Sequence, residues 1–77
     1  MLFEKISKIL ITTGECRPED IKPDAKLDDL GVDSLKAITI LYDIEEVFDI
    51  EIPNDIIPSI VTVKDIQDQI LALRQKN

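Results

Sequence analysis

The sequence predicts an all-α fold: a four-helix bundle with three longer helices, a short third helix, and a long loop between helices one and two. Apolar residues recur at helical spacing in three segments, which is the pattern of amphipathic helices. Only Ile50 and Ile52 alternate with polar neighbours as a strand would. Proline, glycine and charged residues gather over residues 15–33, where they favour a loop.

Helix one is predicted to begin near Leu2 and to end near Gly14, a frequent helix terminator. Its apolar face comprises Leu2, Phe3, Ile6, Ile9, Leu10 and Thr13. The loop that follows is unusually long for a compact domain, and loops of this length are often functional. We expect three apolar side chains to pin it to the core: Ile21, Leu27 and Leu30.

The C-terminal third holds the two remaining helices. Residues 54–58 can form one short helical turn after Pro53. Thr62 and Asp65 resemble a capping box, with aspartate in place of the more common glutamate. Helix four should start there and bury one face, formed by Val63, Ile66, Ile70 and Leu73.

Helix two is predicted from Asp33 or Ser34 to about Phe48, with Asp33 as a good N-cap. On a helical wheel one side carries a core face of Ala37, Ile40, Leu41, Ile44 and Phe48. A different side carries a second apolar stripe, flanked by two acids: Leu35, Ile38 and Tyr42, with Glu45 and Glu46. The stripe either packs under the long loop or forms an exposed docking surface with an acidic rim.

The charge favours the docking interpretation. The chain has 77 residues, with 9 Lys and Arg against 16 Asp and Glu, a formal charge of -7. A nucleic-acid-binding protein needs the opposite sign, so we expect partners with basic surfaces. Between Ala37 and Val63 the sequence contains six acids and no lysine or arginine, whereas a merely solvated face would more often mix signs.

Several function classes are excluded or disfavoured. Without histidine, neither a Ser-His-Asp nor a Cys-His arrangement is possible, and one cysteine cannot build a zinc site. We therefore predict no catalytic residue and no metal site. Cys16 is expected to be a surface thiol in the loop, and a single cysteine suits the reducing cytoplasm. No apolar run approaches the length of a membrane helix, so stable membrane insertion is not expected.

Three segments in order resemble the acyl carrier protein family. Leu30-Gly31-Val32-Asp33-Ser34-Leu35 is similar to its Leu-Gly-x-Asp-Ser-Leu signature. Residues 45–53 are similar to its Glu-Glu-x-Phe-Asp-x-Glu-Ile-Pro segment, and Thr62-Val63 to the start of its last helix. The resemblance covers nearly the whole chain and implies that residues 1–77 form a single carrier domain.

The resemblance implies a function. By position, Ser34 would carry a 4'-phosphopantetheine arm, transferred from coenzyme A by a phosphopantetheinyl transferase, and Asp33 would assist recognition by that enzyme. The arm would hold acyl groups as thioesters for acyl-transferring and synthase enzymes with basic docking surfaces. Helix two would be the main docking element of a monomeric carrier in fatty-acid, polyketide or related lipid biosynthesis.

The chain departs from the family pattern at a few positions. Lys36 stands where fatty-acid carriers often have an acid, and Ile56, Ile57 and Pro58 occupy a third helix that is usually more acidic. Leu27 lies three residues before Leu30, a spacing closer to polyketide and peptidyl carriers. A peptidyl or D-alanyl carrier therefore stays open, as does an unmodified acidic helical interaction module that needs no serine at position 34.

Overall fold

Three α-helices and one short 3-10 helix form the bundle in the computed structural model, which describes residues 2–74. Helix α1 spans Leu2–Thr12, α2 spans Ser34–Phe48 and α3 spans Val63–Arg74; Asn54–Ser59 forms the 3-10 helix, called the 54–59 helix below. Two further 3-10 turns, Pro18–Asp20 and Asp28–Leu30, interrupt the long loop. The predicted all-α architecture is confirmed, and no strand occurs within the described residues.

The core lies where α1 packs against both α2 and α3. Each α-helix contributes a stripe of side chains with almost no solvent exposure: Ile6 and Leu10, Ile40 and Ile44, and Val63, Ile66 and Ile70. Ile57 of the 54–59 helix and Ile60, which follows it, line a small cavity of about 20 Å³ together with side chains of α2 and with Ile66 of α3.

The long loop is tied to the start of α3 by backbone hydrogen bonds. Lys26 and Thr62 form an isolated antiparallel bridge. The Leu27 N–H donates to the Val61 carbonyl at 2.9 Å, and the Val63 N–H donates to the Ala25 carbonyl at 3.1 Å. Of the three predicted anchors, Ile21 and Leu27 are buried and Leu30 is half-buried. The loop is thus fixed against the bundle over its second half.

Two expectations need correction. Cys16 is not a surface thiol: it is 4% exposed, because Glu15 adopts a left-handed conformation (φ 56°) and the Cys16 N–H donates to the Leu10 carbonyl at 3.0 Å, which turns the side chain into the core. Burial raises the pKa of the Cys16 thiol, and the nearby Lys36 charge lowers it only in part. Phe48, predicted on the core face, is only partly buried and lies at the edge of the core.

Candidate functional site

The segment before α2 places Ser34 at the surface. Gly31 closes the 28–30 turn with φ +82°, a left-handed conformation that favours glycine. Val32 then anchors the chain in the core, and Asp33 is extended. Ser34 follows as the first residue of α2 and is exposed. The turn at Gly31, the buried Val32 and the cap Asp33 thus hold Ser34 in place, with its side chain at the surface.

Asp33 is the N-cap of α2, as the sequence predicts. Its Oδ1 accepts a hydrogen bond from the Lys36 N–H at 2.8 Å, and its carbonyl accepts from the Ala37 N–H at 2.8 Å. The first N–H groups of a helix have no intrahelical acceptor. Those of Ser34 and Leu35 have no acceptor elsewhere among residues 2–74 either. They and the positive end of the helix dipole favour an anionic group at this point.

Lys36 does not make the surface beside Ser34 basic. Its ammonium group lies 3.2 Å from a Glu15 carboxylate oxygen and donates to the Gly14 carbonyl at 3.4 Å. The positive charge at the start of α2 is therefore compensated within the fold. Gly14, which supplies the carbonyl group, is required by close packing, because a Cβ there would lie 2.7 Å from the Leu10 carbonyl oxygen.

An apolar groove of about 450 Å³ opens beside Ser34. Ala37 and Ile38 of α2 form one wall, and Ile57 and Pro58 of the 54–59 helix form the other. A second groove, of about 230 Å³, lies farther along α2 against Tyr42. Ile38 of α2 and Ile57 of the 54–59 helix line both grooves, so the two grooves adjoin each other.

The second apolar stripe of α2 is exposed to solvent. Leu35 is 78% exposed, Ile38 40% and Tyr42 66%, so these side chains do not pack under the long loop. Glu46 is exposed at the edge of the stripe. The stripe's exposure agrees with the docking interpretation, although its role in docking stays a prediction.

Two of the six acids between Ala37 and Val63 form hydrogen bonds within the fold, which the sequence did not indicate. Glu45 is half-buried, and its Oε2 accepts a hydrogen bond from the Ile52 N–H at 2.7 Å. Asp43 accepts from the Thr13 hydroxyl group, which joins the end of α1 to the middle of α2. Nothing in the residue types distinguishes Glu45 from Glu46.

Within residues 2–74, no three histidine, cysteine or acidic side chains cluster closely enough to hold a metal ion. No helix in the same range combines the length and the apolar character needed to cross a bilayer.

Comparison with known proteins identifies the family. Residues 4–70 match the family model described as "Phosphopantetheine attachment site". The chain belongs to the acyl carrier protein family. An acyl carrier protein from Sulfurovum sp. (strain NBC37-1) is 38% identical over 65 residues, which cover 83% of this chain and 87% of the relative. Members are carriers and not catalysts, and their cofactor is 4'-phosphopantetheine.

Proposed function

We propose that Ser34 is the attachment residue for the 4'-phosphopantetheine arm, and that the loaded carrier presents acyl groups as thioesters to enzymes of fatty-acid, polyketide or related lipid biosynthesis. The observation that carries the proposal is the position of Ser34: exposed, first in α2, and within the segment that resembles the family signature. The cofactor supplies the thiol chemistry, and the protein supplies attachment and presentation.

The other two serines are poorer candidates. The Ser7 hydroxyl oxygen is buried within α1. The Ser59 hydroxyl group donates to the Ile56 carbonyl at 2.6 Å. No hydrogen bond among residues 2–74 uses the Ser34 hydroxyl group, so it is available to a transferase.

The setting of Ser34 fits a phosphodiester. The N–H groups of Ser34 and Leu35 are available to its oxygens, and the helix dipole favours its negative charge. The apolar groove beside Ser34 gives the uncharged part of the arm a surface to rest on. Asp33 supports this setting as the N-cap, and we propose that it also contributes to recognition by the phosphopantetheinyl transferase.

Partners are proposed to dock on the stripe of α2, formed by Leu35, Ile38 and Tyr42 and bordered by Glu45 and Glu46. An apolar centre with a polar, solvent-accessible rim is the usual anatomy of a protein interface. The net charge of -7 favours partners with basic surfaces, both the transferase and the acyl-transferring and synthase enzymes. A monomeric carrier fits this role. A location in the cytoplasm fits the single cysteine, which cannot form an internal disulfide.

Mass measurement of the intact protein tests the attachment site. Purified apo-protein is incubated with coenzyme A, magnesium and a broad-specificity phosphopantetheinyl transferase. We expect the wild type and the matched control Ser59→Ala to gain the mass of one arm, and Ser34→Ala to gain none while keeping its helical circular dichroism. An arm found on Ser34→Ala would refute the assignment, and an unmodified wild type would favour the interaction module. The thioester on protein isolated from its source would distinguish acyl from peptidyl or D-alanyl cargo.

A further inference from the structure

The 54–59 helix has little stability of its own. It is a 3-10 helix of six residues with Pro58 inside it, and no side chain caps its N-terminus. Short 3-10 segments have poorer hydrogen-bond geometry than α-helices. None of its side chains is fully buried, although Ile56 and Ile57 pack against the core. Its position is therefore set by the packing of Ile56 and Ile57 and by the residues at its two ends.

A carboxylate from a neighbouring α-helix holds each end. Before the 54–59 helix, the Ile52 N–H donates to Glu45 of α2 at 2.7 Å. After it, Asp65 of α3 accepts from the N–H groups of Val61 and Thr62 at 2.8 Å and 2.9 Å. Hydrogen bonds to an ionised carboxylate are about twice as strong as those between neutral groups. Asp65 belongs to the predicted capping box, whereas Glu45 has no such local reason to bind backbone.

The 54–59 helix forms a wall of both grooves on the Ser34 side of the molecule. Ile57 lines the groove beside Ser34, the groove beside Tyr42, and the small cavity of about 20 Å³. Glu45 itself lines the groove beside Tyr42, next to Ile52. A displacement of residues 52–60 would therefore reshape the surface that a partner meets, without any change in α2.

We propose that Glu45 is a positioning residue for partner docking, and that it acts through the Ile52 N–H and the 54–59 helix and not through its charge. This inference rests on the proposed function of the α2 surface. Glu46, one residue later and exposed, is the matched case of an acid that acts by charge alone. The two neighbouring glutamates thus divide two tasks, shaping the docking surface and attracting the partner.

Four variants separate these tasks. Glu45→Gln keeps an oxygen that can accept from Ile52 but removes the charge, whereas Glu45→Ala removes both; Glu46→Gln and Glu46→Ala are the matched controls. We expect Glu45→Ala to lower the transferase kcat/KM about fivefold to tenfold, as the loss of one hydrogen bond implies. Glu45→Gln should retain most of the wild-type rate, and both Glu46 variants should lose rate equally.

Salt dependence and residue-resolved amide exchange separate a local effect from a loss of overall stability, because a global loss would also accelerate exchange in the core helices. Adding salt should reduce the difference in kcat/KM between the Glu46 variants and the wild type, because salt screens exposed charges. The lower kcat/KM of Glu45→Ala should not change with salt. Amide exchange of the apo-protein should accelerate at Ile52 and residues 54–60 in Glu45→Ala only. Asp65→Ala, which frees the opposite end, should accelerate exchange at Val61 and Thr62.

The inference is overturned if Glu45→Gln loses as much rate as Glu45→Ala with a changed salt dependence, since Glu45 would then be a docking charge. Unchanged exchange at Ile52 in Glu45→Ala would overturn it as well. The exchange measurement needs no modified serine. If no variant is loaded at all, the Ser34 assignment fails, while exchange at Ile52 still decides whether Glu45 holds the 54–59 helix.

Discussion

Replacing Ile38 by alanine tests whether the exposed stripe of α2 serves docking or the core. The change removes the equivalent of three methylene groups, worth about 2.4 kcal/mol if all of them leave water on folding. Ile38 keeps 40% of its exposure in the folded state, which reduces this to about 1.4 kcal/mol. Alanine's higher helix propensity returns about 0.4 kcal/mol. We therefore expect the free energy of unfolding to fall by about 1 kcal/mol.

Ile44→Ala is the matched comparison on the core face of the same helix. Ile44 has no exposed surface, so its truncation leaves a cavity in addition to the lost burial, and should cost about 2 to 5 kcal/mol. A domain of this length has a total stability of about 4 to 12 kcal/mol. Ile44→Ala could thus remove half of it, while Ile38→Ala stays folded under assay conditions.

Two measurements decide the outcome. In urea denaturation, the midpoint should fall slightly for Ile38→Ala and strongly for Ile44→Ala. The dependence of the free energy of unfolding on urea concentration should be unchanged in both variants. Transferase kcat/KM should fall at least about fivefold for Ile38→Ala, because truncating an interface anchor costs about 1 kcal/mol or more. If Ile38→Ala destabilises as much as Ile44→Ala, Ile38 belongs to the core. If it is loaded at the wild-type rate, the stripe is not the docking surface.

Three other properties can be checked in solution. The Cys16 thiol, buried and with a raised pKa, should resist thiol reagents at pH 8 until urea unfolds the chain; prompt labelling of the folded apo-protein would contradict its burial. The N–H groups of Thr62 and then Val61 lower the pKa of Asp65, so its carboxylate stabilises the fold above about pH 4 and loses this effect as the pH falls through its folded value. Asp65→Ala should therefore cost about 1 kcal/mol at pH 7 and progressively less as the pH falls below about 4, and a loss that does not change with pH would argue against the capping role. Moderate salt or millimolar magnesium should raise the melting temperature by screening the acids between Asp43 and Asp55. An unchanged melting temperature would show that contacts such as Glu45 to Ile52 already compensate these acids.

The helices were predictable because their signals are local. Helix α2 begins at Ser34, as expected, since Asp33 caps it through a contact only three residues away. The capping box at α3 is confirmed for the same reason: the Asp65 N–H donates to the Thr62 hydroxyl oxygen at 3.2 Å, and Asp65 accepts from the Thr62 N–H. Helical geometry separated the stripe from the core face, but it left open whether the stripe packs under the long loop, and the structure shows it exposed.

The remaining features depend on where distant segments meet. Cys16 is buried because Glu15 takes a left-handed conformation, and no residue preference marks a glutamate for that conformation. Lys36 pairs with Glu15 across the long loop. Glu45 binds the Ile52 N–H only because the chain turns back after α2, with Asp49 left-handed at its C-cap. A sequence pattern reports periodicity and caps, but it does not reveal which acid meets a returning backbone.

Lys26 and Thr62 lie almost half the chain apart, so the bridge between them makes the segment before Ser34 depend on the start of α3. Closing a loop of this length costs about 3 kcal/mol of chain entropy, which the packing of the bundle offsets. The bond from the Leu27 N–H to the Val61 carbonyl belongs to the same connection, and Leu27 begins the turn that leads to Gly31. A substitution that loosens the start of α3 should therefore also loosen the segment that presents Ser34, although the two are distant in sequence.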